Sequence, residues 1–214
     1  MNKKEKFVIT INRELGSGGR TVGQKLAEKL GVEFFDKTVI EALQEKYHLT
    51  VEDIEKRKGD SNNWWADAKR MLSISLGVSG NVGHYQTIAR NPAAVVTTDD
   101  MFKVETEILK NIAETESCVV AGRSGFFVFR NHPNRLSVLI QASMPNRVAR
   151  VAKKQNMTEE EARKVIDKVD EMRENYVKKY TGTSRYDTRN YHLVISADDN
   201  TEDEIVDLIL EYIK

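Results

Sequence analysis

A glycine-rich turn between an apolar segment and an amphipathic segment constrains the fold of this chain more than any other feature. The turn, Gly16-Ser17-Gly18-Gly19, follows the apolar run Phe7–Ile11 and precedes Val22, Leu26 and Leu30, which recur at helical spacing. This order predicts a buried strand, a tight turn and a helix. Glycine permits positive φ and has no Cβ to keep a ligand away from the backbone N–H groups. Together with the positive end of the helix dipole, the turn is predicted to bind a phosphate group.

The segment Glu14–Thr21 aligns with the phosphate-loop pattern G-x-x-x-x-G-K-[ST] and matches two of its four defining positions. Gly19 occupies the second glycine position, and Thr21 occupies the position of the hydroxyl residue that binds Mg²⁺. Glu14 replaces the first glycine and Arg20 replaces the lysine. Arginine keeps the positive charge and can bind phosphate through two hydrogen bonds. Its rigid planar group is nevertheless a poor substitute for a lysine that moves with a phosphoryl group.

Glu14 is the residue that fits a phosphate site least well, because a carboxylate beside a triphosphate repels it. We therefore expect a basic group, either Arg13, Arg20 or another residue, to neutralise Glu14. The alternative interpretation of the whole segment is a strand-to-helix turn that binds no ligand.

Composition excludes several classes of protein. The 214 residues suffice for one α/β domain with an insertion, and 33 basic against 33 acidic residues give no overall field that would attract nucleic acid or an anionic membrane. Cys118 is the only cysteine, which excludes a disulfide within the chain and is typical of a reducing compartment. No apolar stretch is long enough to span a membrane, and the chain begins without a signal-type segment. We expect a cytoplasmic protein that binds neither nucleic acid nor membrane.

Predicted strands and helices alternate along the chain, which indicates an α/β fold with a mostly parallel sheet covered by helices. After the first helix, which Gly31 ends, the predicted strands are 32–35, 117–121, 136–141 and 191–196. The helices predicted before the middle of the chain are 37–46 after an Asp36 N-cap, about 50–58, and 101–115 after a cap at Asp99–Asp100. The later ones are a short segment ending at Phe129, a helix at 144–155, and a long helix that starts at a capping box of Thr158 and Glu161 and reaches about Tyr180. The last predicted helix starts at Glu202. The irregular stretch at about 59–98 is predicted to be an inserted subdomain.

Arginines recur where the predicted strands end. Arg13 follows the first strand, Arg123 follows the strand ending at Ala121, and Arg147 and Arg150 follow the next one. The carboxyl ends of parallel strands form the ligand-binding edge of such sheets. Four arginines at one edge, next to a phosphate loop, indicate two phosphorylated ligands rather than one.

Several segments together resemble the cytidylate kinases of bacteria, and most closely the cytidylate-kinase-like branch of the P-loop nucleoside monophosphate kinases. They are ITINRELGSGGRTVGQKLAEKLGVEFFDK, CVVAGRSGFFVF, LIQASMPNRVARV, DEMRENYVKKYTG and YHLVISADD, in this order. The first is the most specific, because its RELGSGGR loop looks like that branch's own variant of the phosphate loop. The resemblance implies a P-loop NTPase-type three-layer sandwich with a five-stranded parallel sheet. It also implies a monophosphate-binding insertion at about 59–98 and a helical lid at about 153–188 within a single domain, 1–214.

The resemblance also implies roles for individual residues, which divide between two substrates. The residues expected to bind ATP and its Mg²⁺ are Gly16, Ser17, Gly18 and Gly19 around the phosphates, Arg20 on the β- and γ-phosphates, Thr21 on the metal, and Arg147, Arg150 and Lys153 as lid or donor-side charges. The residues expected to bind the acceptor are Arg123 and Ser124 after one strand, and Asp170 and Arg173 in the lid region. Of these, the arginines expected to act in catalysis are Arg20, Arg123 and Arg173.

The implied activity is ATP-dependent phosphorylation of a nucleoside monophosphate, with CMP or dCMP as first candidates. Two departures from the family pattern bear on it: Ser124 replaces the aspartate that helps read cytosine, and no acidic residue takes the place of a Walker-B aspartate at a strand end. The alternative is a nucleotide- or anion-binding protein that no longer transfers phosphate. The chemistry requires no base, so the four histidines are predicted to be structural or surface residues; they are His48, His84, His132 and His192.

Overall fold

The computed structural model describes residues 1–37, 40 and 98–214. The predicted insertion at about 59–98 lies outside the described residues except at its last position. The helix predicted at about 50–58 lies outside them, as does nearly all of the one predicted at 37–46. His48 and His84 also lie outside the described part of the chain.

Five parallel strands of the described residues form one sheet, which confirms the predicted α/β fold with a five-stranded parallel sheet. They are β1 (Val8–Arg13), β2 (Glu33–Phe35), β3 (Cys118–Ala121), β4 (Arg135–Gln141) and β5 (Leu193–Ser196), in the order β2-β3-β1-β4-β5. The central strand β1 pairs with β3 on one side, where Val8 lies opposite Cys118, and with β4 on the other, where Arg13 lies opposite Ile140. The carboxyl end of β1, with the glycine turn, therefore lies in the middle of the ligand-binding edge.

Six α-helices connect or cover these strands in the described part of the chain. They are α1 (Gly19–Leu30), α2 (Thr98–Thr115), α3 (Gly125–Val128), α4 (Met144–Gln155), α5 (Glu159–Thr181) and α6 (Glu202–Tyr212), with a short 3-10 helix at Thr188–Asn190. The prediction that Asp99 and Asp100 precede their helix was wrong, because α2 begins at Thr98 and both lie in its first turn. Their carboxylates are favourable there, next to the positive end of the helix dipole.

Apolar side chains alternate between the two faces of the sheet and produce a three-layer arrangement. Ile9 and Ile11 belong to a buried cluster with residues of α1 and α6, whereas Val8 and Val120 belong to a second cluster with residues of α2. Burying one such side chain contributes about 1.5–3 kcal/mol, so the two faces hold β1 firmly in place. The position of the glycine turn is consequently set by the core beneath it.

Helices α4 and α5 form a small cluster of their own beside the sheet. Its buried members are Val148 and Val151 of α4 and Ala162 and Ile166 of α5. The capping box of Thr158 and Glu161 that starts α5 is present as predicted. These helices cover most of the segment at about 153–188 that we predicted to be a lid, and that role stays a prediction. Among the helices of the described residues, none has the length and apolarity needed to cross a bilayer.

Candidate active site

The glycine turn adopts the backbone conformation that its sequence predicts. Gly16 and Gly18 have φ values of 87° and 82°, and Gly18 is the N-cap of α1, with no side chain capping the helix. The hydroxyl of Ser17 is buried and donates a hydrogen bond to the carbonyl oxygen of Glu14 at 3.0 Å, which braces the turn from inside. An uncapped helix start with no acidic residue in its first turn favours an anion.

Each glycine of this loop is faced by an arginine of the same chain. A Cβ at Gly16 would lie 2.8 Å from the carbonyl oxygen of Arg147, and one at Gly19 would lie 2.6 Å from the Cβ of Arg13. A Cβ at Gly18 would meet the guanidinium of Arg150. The sequence alone indicated that the glycines expose backbone N–H groups, and the structure adds that they make room for arginines.

Glu14 is neutralised, as expected, but by the third of the alternatives considered. Its Oε1 lies 3.4 Å from Nη1 of Arg147, and its Oε2 accepts a hydrogen bond from the backbone N–H of Ala142 at 3.0 Å. The carboxylate therefore connects the loop to α4 and to the end of β4. This arrangement holds Glu14 through groups other than Arg13 and Arg20.

Arg20 extends to the neighbouring strand end. Its Nε lies 2.6 Å from Oδ2 of Asp36, which follows β2 and is buried, whereas the Arg20 side chain is 57% exposed. We expected Asp36 only as an N-cap and expected no acidic residue at a strand end in this part of the site. The missed signal was an aspartate directly after the apolar pair Phe34-Phe35.

Asp170 lies at the centre of three arginines instead of projecting into an open space. Its Oδ2 pairs with Arg147, and its Oδ1 lies 3.2 Å from Nη1 of Arg185 and 3.6 Å from Nη1 of Arg173. The backbone N–H of Leu15 also donates to Oδ1, at 3.2 Å. Asp170 thus ties α5 to the loop.

Arg185 is the residue of this site that the sequence did not point to. It is 1% exposed, and besides its bond to Asp170 it donates a hydrogen bond to the carbonyl oxygen of Arg13. A lone arginine in the polar run Thr181–Asp187 has no sequence signature that separates it from a surface residue. Only the three-dimensional contact with Asp170 reveals its position.

Arg123 and Ser124 form an unusual turn at the end of β3. Both have φ of 52°, and Gly122 before them has φ of 79°. The Arg123 guanidinium pairs with the buried carboxylate of Glu105 on α2, and it lies 5.5 Å from the ring centre of Tyr176 on α5. Left-handed conformations cost about 1–2 kcal/mol per non-glycine residue and concentrate at functional sites.

The hydroxyl of Ser124 is buried and has no hydrogen-bond partner within the described residues. Buried polar groups normally have partners, so an unpaired hydroxyl in a strained turn is consistent with a position that a ligand completes.

Thr21, the predicted metal residue, is exposed in the first turn of α1.

An open groove of about 490 Å³ adjoins the loop on the side of α4 and α6. It is lined by Asn146 and Arg150 of α4 and by the segment Ala197–Glu202. Arg150 is common to the groove and to the loop, because its guanidinium lies over Gly18 and 2.8 Å from Oε1 of Glu202. Arg150 therefore lies at the border between the groove and the loop.

The two histidines in the described part of the chain have structural contacts, as predicted. Nδ1 of His132 accepts the N–H of Asn134, and Nδ1 of His192 accepts the N–H of Ser137 at 2.9 Å. Partial burial and the neighbouring Arg135 lower the pKa of His192, so it favours the neutral form that this hydrogen bond needs.

The parallel sheet, the glycine loop at the start of α1 and the arginine-rich edge together define a kinase-like P-loop fold. Comparison with known proteins gives the family: the model of the cytidylate kinase-like family matches residues 8–199. The chain belongs to the cytidylate kinase-like family, as its sequence resemblance predicted.

Two solved structures share the fold. An uncharacterized protein from Eubacterium ventriosum ATCC 27560 has a TM-score of 0.68 and 23% identity, with 97% of this chain and 98% of that chain covered. The shikimate kinase from Bacteroides thetaiotaomicron has a TM-score of 0.50 and 16% identity, again covering 97% of this chain and 98% of that chain. At these identities the likeness shows the fold alone.

One curated relative is similar over nearly the whole chain. It is the S-adenosylmethionine-dependent nucleotide dehydratase of Lacinutrix mariniflava, which is 24% identical over 209 residues. The match covers 97% of this chain but 36% of that protein, so the chain spans little more than a third of its length.

Proposed function

We propose that the protein transfers the γ-phosphoryl group of ATP to a nucleoside monophosphate, with CMP and dCMP as the first acceptors to test. The observation that carries this proposal is the row of arginines along the carboxyl edge of the sheet. Arg150 lies over the glycine loop, Arg13 extends from Gly19 to Gly122, and Arg123 follows Gly122 directly. In-line transfer between two phosphorylated ligands requires positive charge at both of them and between them.

The donor side is proposed to be the glycine loop with the adjoining groove. The N–H groups of the loop residues Gly16, Ser17, Gly18 and Gly19 would hold the phosphates, and the base and ribose would extend past Arg150 into the groove. Arg20 remains exposed enough to contact phosphate while paired with Asp36. Arg147 is buried, so its contribution would be to fix the loop through the hydrogen bond from its Nε to the carbonyl oxygen of Leu15 at 2.8 Å.

The acceptor side is proposed to be the turn after β3 together with the facing part of α5. Arg123 and Arg173 would bind the acceptor phosphate, with Ser124 beside it and Asp170 holding Arg173. The pairing of Arg123 with Glu105 and Tyr176 supports this role, because it fixes the direction of a side chain that must be aligned before the substrate arrives.

Mg²⁺ would arrive with ATP. Within the described residues, no group of three or more His, Cys, Asp or Glu side chains could hold a metal ion without the nucleotide. Thr21 and Asp36 offer the hard oxygen atoms that Mg²⁺ prefers, and this ion ordinarily keeps water and phosphate oxygens as its other ligands. The donor set therefore fits an ion shared with the nucleotide, whose charge would offset that of the phosphoryl group.

The chain's own contribution to the reaction would be positioning, charge and exclusion of water. The acceptor phosphate is already an anionic nucleophile, so no general base is needed. We expect α4 and α5 to close over the donor and to exclude water that would otherwise hydrolyse ATP. Asp170 would transmit this closure to the loop, since it pairs with Arg173 of α5 and Arg147 of α4 and accepts the N–H of Leu15.

A second candidate is a nucleotide-binding protein without transfer. The pairs Arg20–Asp36 and Arg123–Glu105 favour it, since each already neutralises one of the arginines expected to act on phosphate. A nucleotide substrate is supported in either case by the name of the curated relative, a nucleotide dehydratase.

An assay of purified protein with Mg²⁺, γ-labelled ATP and a panel of nucleoside monophosphates would separate the two. The proposal predicts label in a nucleoside diphosphate, with the largest rates for cytidine or deoxycytidine acceptors. ATP binding by calorimetry without label in any acceptor would reject transfer and support the binding protein.

A further inference from the structure

The position where α1 begins bears on how the loop aligns with the pattern G-x-x-x-x-G-K-[ST]. The helix starts at Gly19 and Gly18 is its N-cap. In that pattern the lysine directly follows the second glycine, where the loop gives way to the helix. If Gly18 is the second glycine, Gly19 stands at the lysine position and Arg13 stands at the first glycine position. Relative to the pattern, the chain then has a cation where a glycine is expected and a glycine where the cation is expected.

These two positions are neighbours in space. An ideal Cβ on Gly19 would lie 2.6 Å from Cβ and 3.2 Å from Cγ of Arg13. Side-chain carbons cannot approach so closely, so a residue larger than glycine at 19 and any residue with a Cβ at 13 exclude each other. With Gly19 at the lysine position and Arg13 at the first glycine position, the loop still has one positive side chain close to where the pattern's lysine would be.

The Arg13 side chain continues from Gly19 toward the acceptor side. Its Nη1 occupies the place where Gly122 would carry a Cβ. Gly122 directly precedes Arg123 and Ser124, the residues of the strained turn. The guanidinium thus lies between the loop proposed for the donor and the turn proposed for the acceptor.

Within the described residues, Arg13 is influenced by more positive groups than negative ones. Within the described part of the chain, no carboxylate lies at ion-pair distance from its guanidinium, in contrast to Arg20, Arg147 and Arg150. Burial, together with the nearby Arg173 and Arg185, lowers the pKa of Arg13 to about 9, and the carboxylate of Asp36 offsets part of this shift. A half-buried guanidinium near other guanidinium groups favours binding of an anion with more than one negative charge.

We propose that Arg13 is the cation that binds the transferred phosphoryl group, in the role that the pattern's lysine would otherwise have. This inference rests on the proposed function and adds a residue to it. Arg20 then acts mainly on Asp36 at the end of β2. The loop's alignment with the pattern shifts by one residue from that suggested by sequence, which puts Arg20 at the pattern's hydroxyl position. The proposed role of Thr21 at the metal then rests on its exposed hydroxyl and not on the pattern.

A double-mutant cycle between positions 13 and 19 tests this proposal through affinity for pyrophosphate, measured by calorimetry without any acceptor. Arg13→Gly should weaken binding about ten- to a hundredfold, as expected for loss of a hydrogen-bonded charge. Gly19→Lys alone should not improve binding, because the new side chain would meet Cβ of Arg13. The double variant Arg13→Gly with Gly19→Lys should recover about tenfold or more, since the lysine enters the space that the arginine leaves.

Two further variants separate the effect of the Arg13 charge from loss of folding and from loss of an unrelated arginine. Arg13→Gln preserves length without charge and should also weaken binding, even where Gly19→Lys fails to fold. Arg189→Ala removes an arginine that is 88% exposed and should leave pyrophosphate affinity unchanged. Unfolding curves without ligand would show that each variant is folded.

Pyrophosphate affinity within twofold of wild type in both Arg13→Gly and Arg13→Gln would overturn the proposal, as would a folded double variant no tighter than Arg13→Gly. The acceptor-panel assay is independent of this cycle. If the wild-type protein transfers phosphate but the Arg13 variants bind pyrophosphate normally, the inference is rejected and the proposed function is retained. If the cycle shows the expected loss and recovery of pyrophosphate affinity but the wild-type protein transfers no phosphate, the proposed function is rejected and Arg13 remains a phosphate-binding residue.

Discussion

Asp170 accepts a hydrogen bond from Arg185 at 3.2 Å, and both side chains are almost completely buried. Asp170 also pairs with Arg147 and accepts the N–H of Leu15. One carboxylate thus connects α5, α4, the segment after α5 and the glycine loop. The site proposed for ATP therefore has its shape determined by a buried ionic network as well as by glycine.

Asp170→Asn should strongly destabilise the protein. The change leaves the buried Arg185 without its counter-ion and Arg147 with Glu14 as its remaining one. Removing one partner of a buried pair typically costs about 3–5 kcal/mol. Urea unfolding followed by circular dichroism would measure the loss. As a control, Glu160→Gln removes an exposed partner of Lys164 and should cost less than about 1 kcal/mol. A loss below about 1 kcal/mol for Asp170→Asn would show that the network is not what holds the loop.

Glu14→Gln should leave nucleotide affinity unchanged or improve it. The amide oxygen can still accept the N–H of Ala142, while the negative charge near the phosphates disappears. Calorimetry with ATP and Mg²⁺ measures the effect. A variant that binds ATP normally but has no transferase activity would show that Glu14 acts on the metal or the reaction, contrary to the contacts described above.

Ser124→Gly should raise the free energy of unfolding by about 1 kcal/mol, because glycine adopts positive φ without the cost that serine bears. Ser124→Ala is the matched control, since it removes the unpaired hydroxyl but keeps the strained backbone, and it should gain less. Thermal unfolding of both variants measures the two changes in the free energy of unfolding. Equal stability of the two would place the cost in the hydroxyl and not in the backbone.

Cys118 should resist thiol reagents in the native protein. It is buried in β3, and burial raises its pKa to about 12, so almost none of the reactive thiolate is present near neutral pH. Labelling at pH 8 should proceed only after denaturation in urea. Complete labelling of folded protein within minutes would show that β3 opens readily.

Local sequence signals predicted most of the sheet and the glycine turn. The apolar runs at Phe7–Ile11 and Ser117–Ala121 predicted β1 and β3 because strands buried on both faces carry apolar residues at nearly every position. The capping box of Thr158 and Glu161 predicted the start of α5 correctly. The predicted start of α6 at Glu202 was also correct, and the structure shows a capping box of Thr201 and Glu204 there.

The partners of the site's charged residues could not be predicted in this way. Arg185, Asp36 and Arg13 acquire their roles from contacts across distances of up to 172 residues in the chain. Sequence spacing places charged residues at a strand end but does not say which opposite charge each one meets. Glu14 is an example. The sequence indicated that it needs a basic partner, but that this partner is Arg147 depends on how α4 packs against Gly16.

Calorimetry with a two-headed ligand, adenosine and cytidine joined 5′ to 5′ through a chain of phosphates, measures whether the two phosphate sites face each other. If donor and acceptor sites face each other along the arginine row, this ligand should bind about a hundredfold or more tighter than ATP alone, because its second half binds at high effective concentration. Arg123→Ala should remove most of that gain while leaving ATP binding nearly intact. A two-headed ligand that binds no more tightly than ATP would contradict the account of two facing phosphate sites.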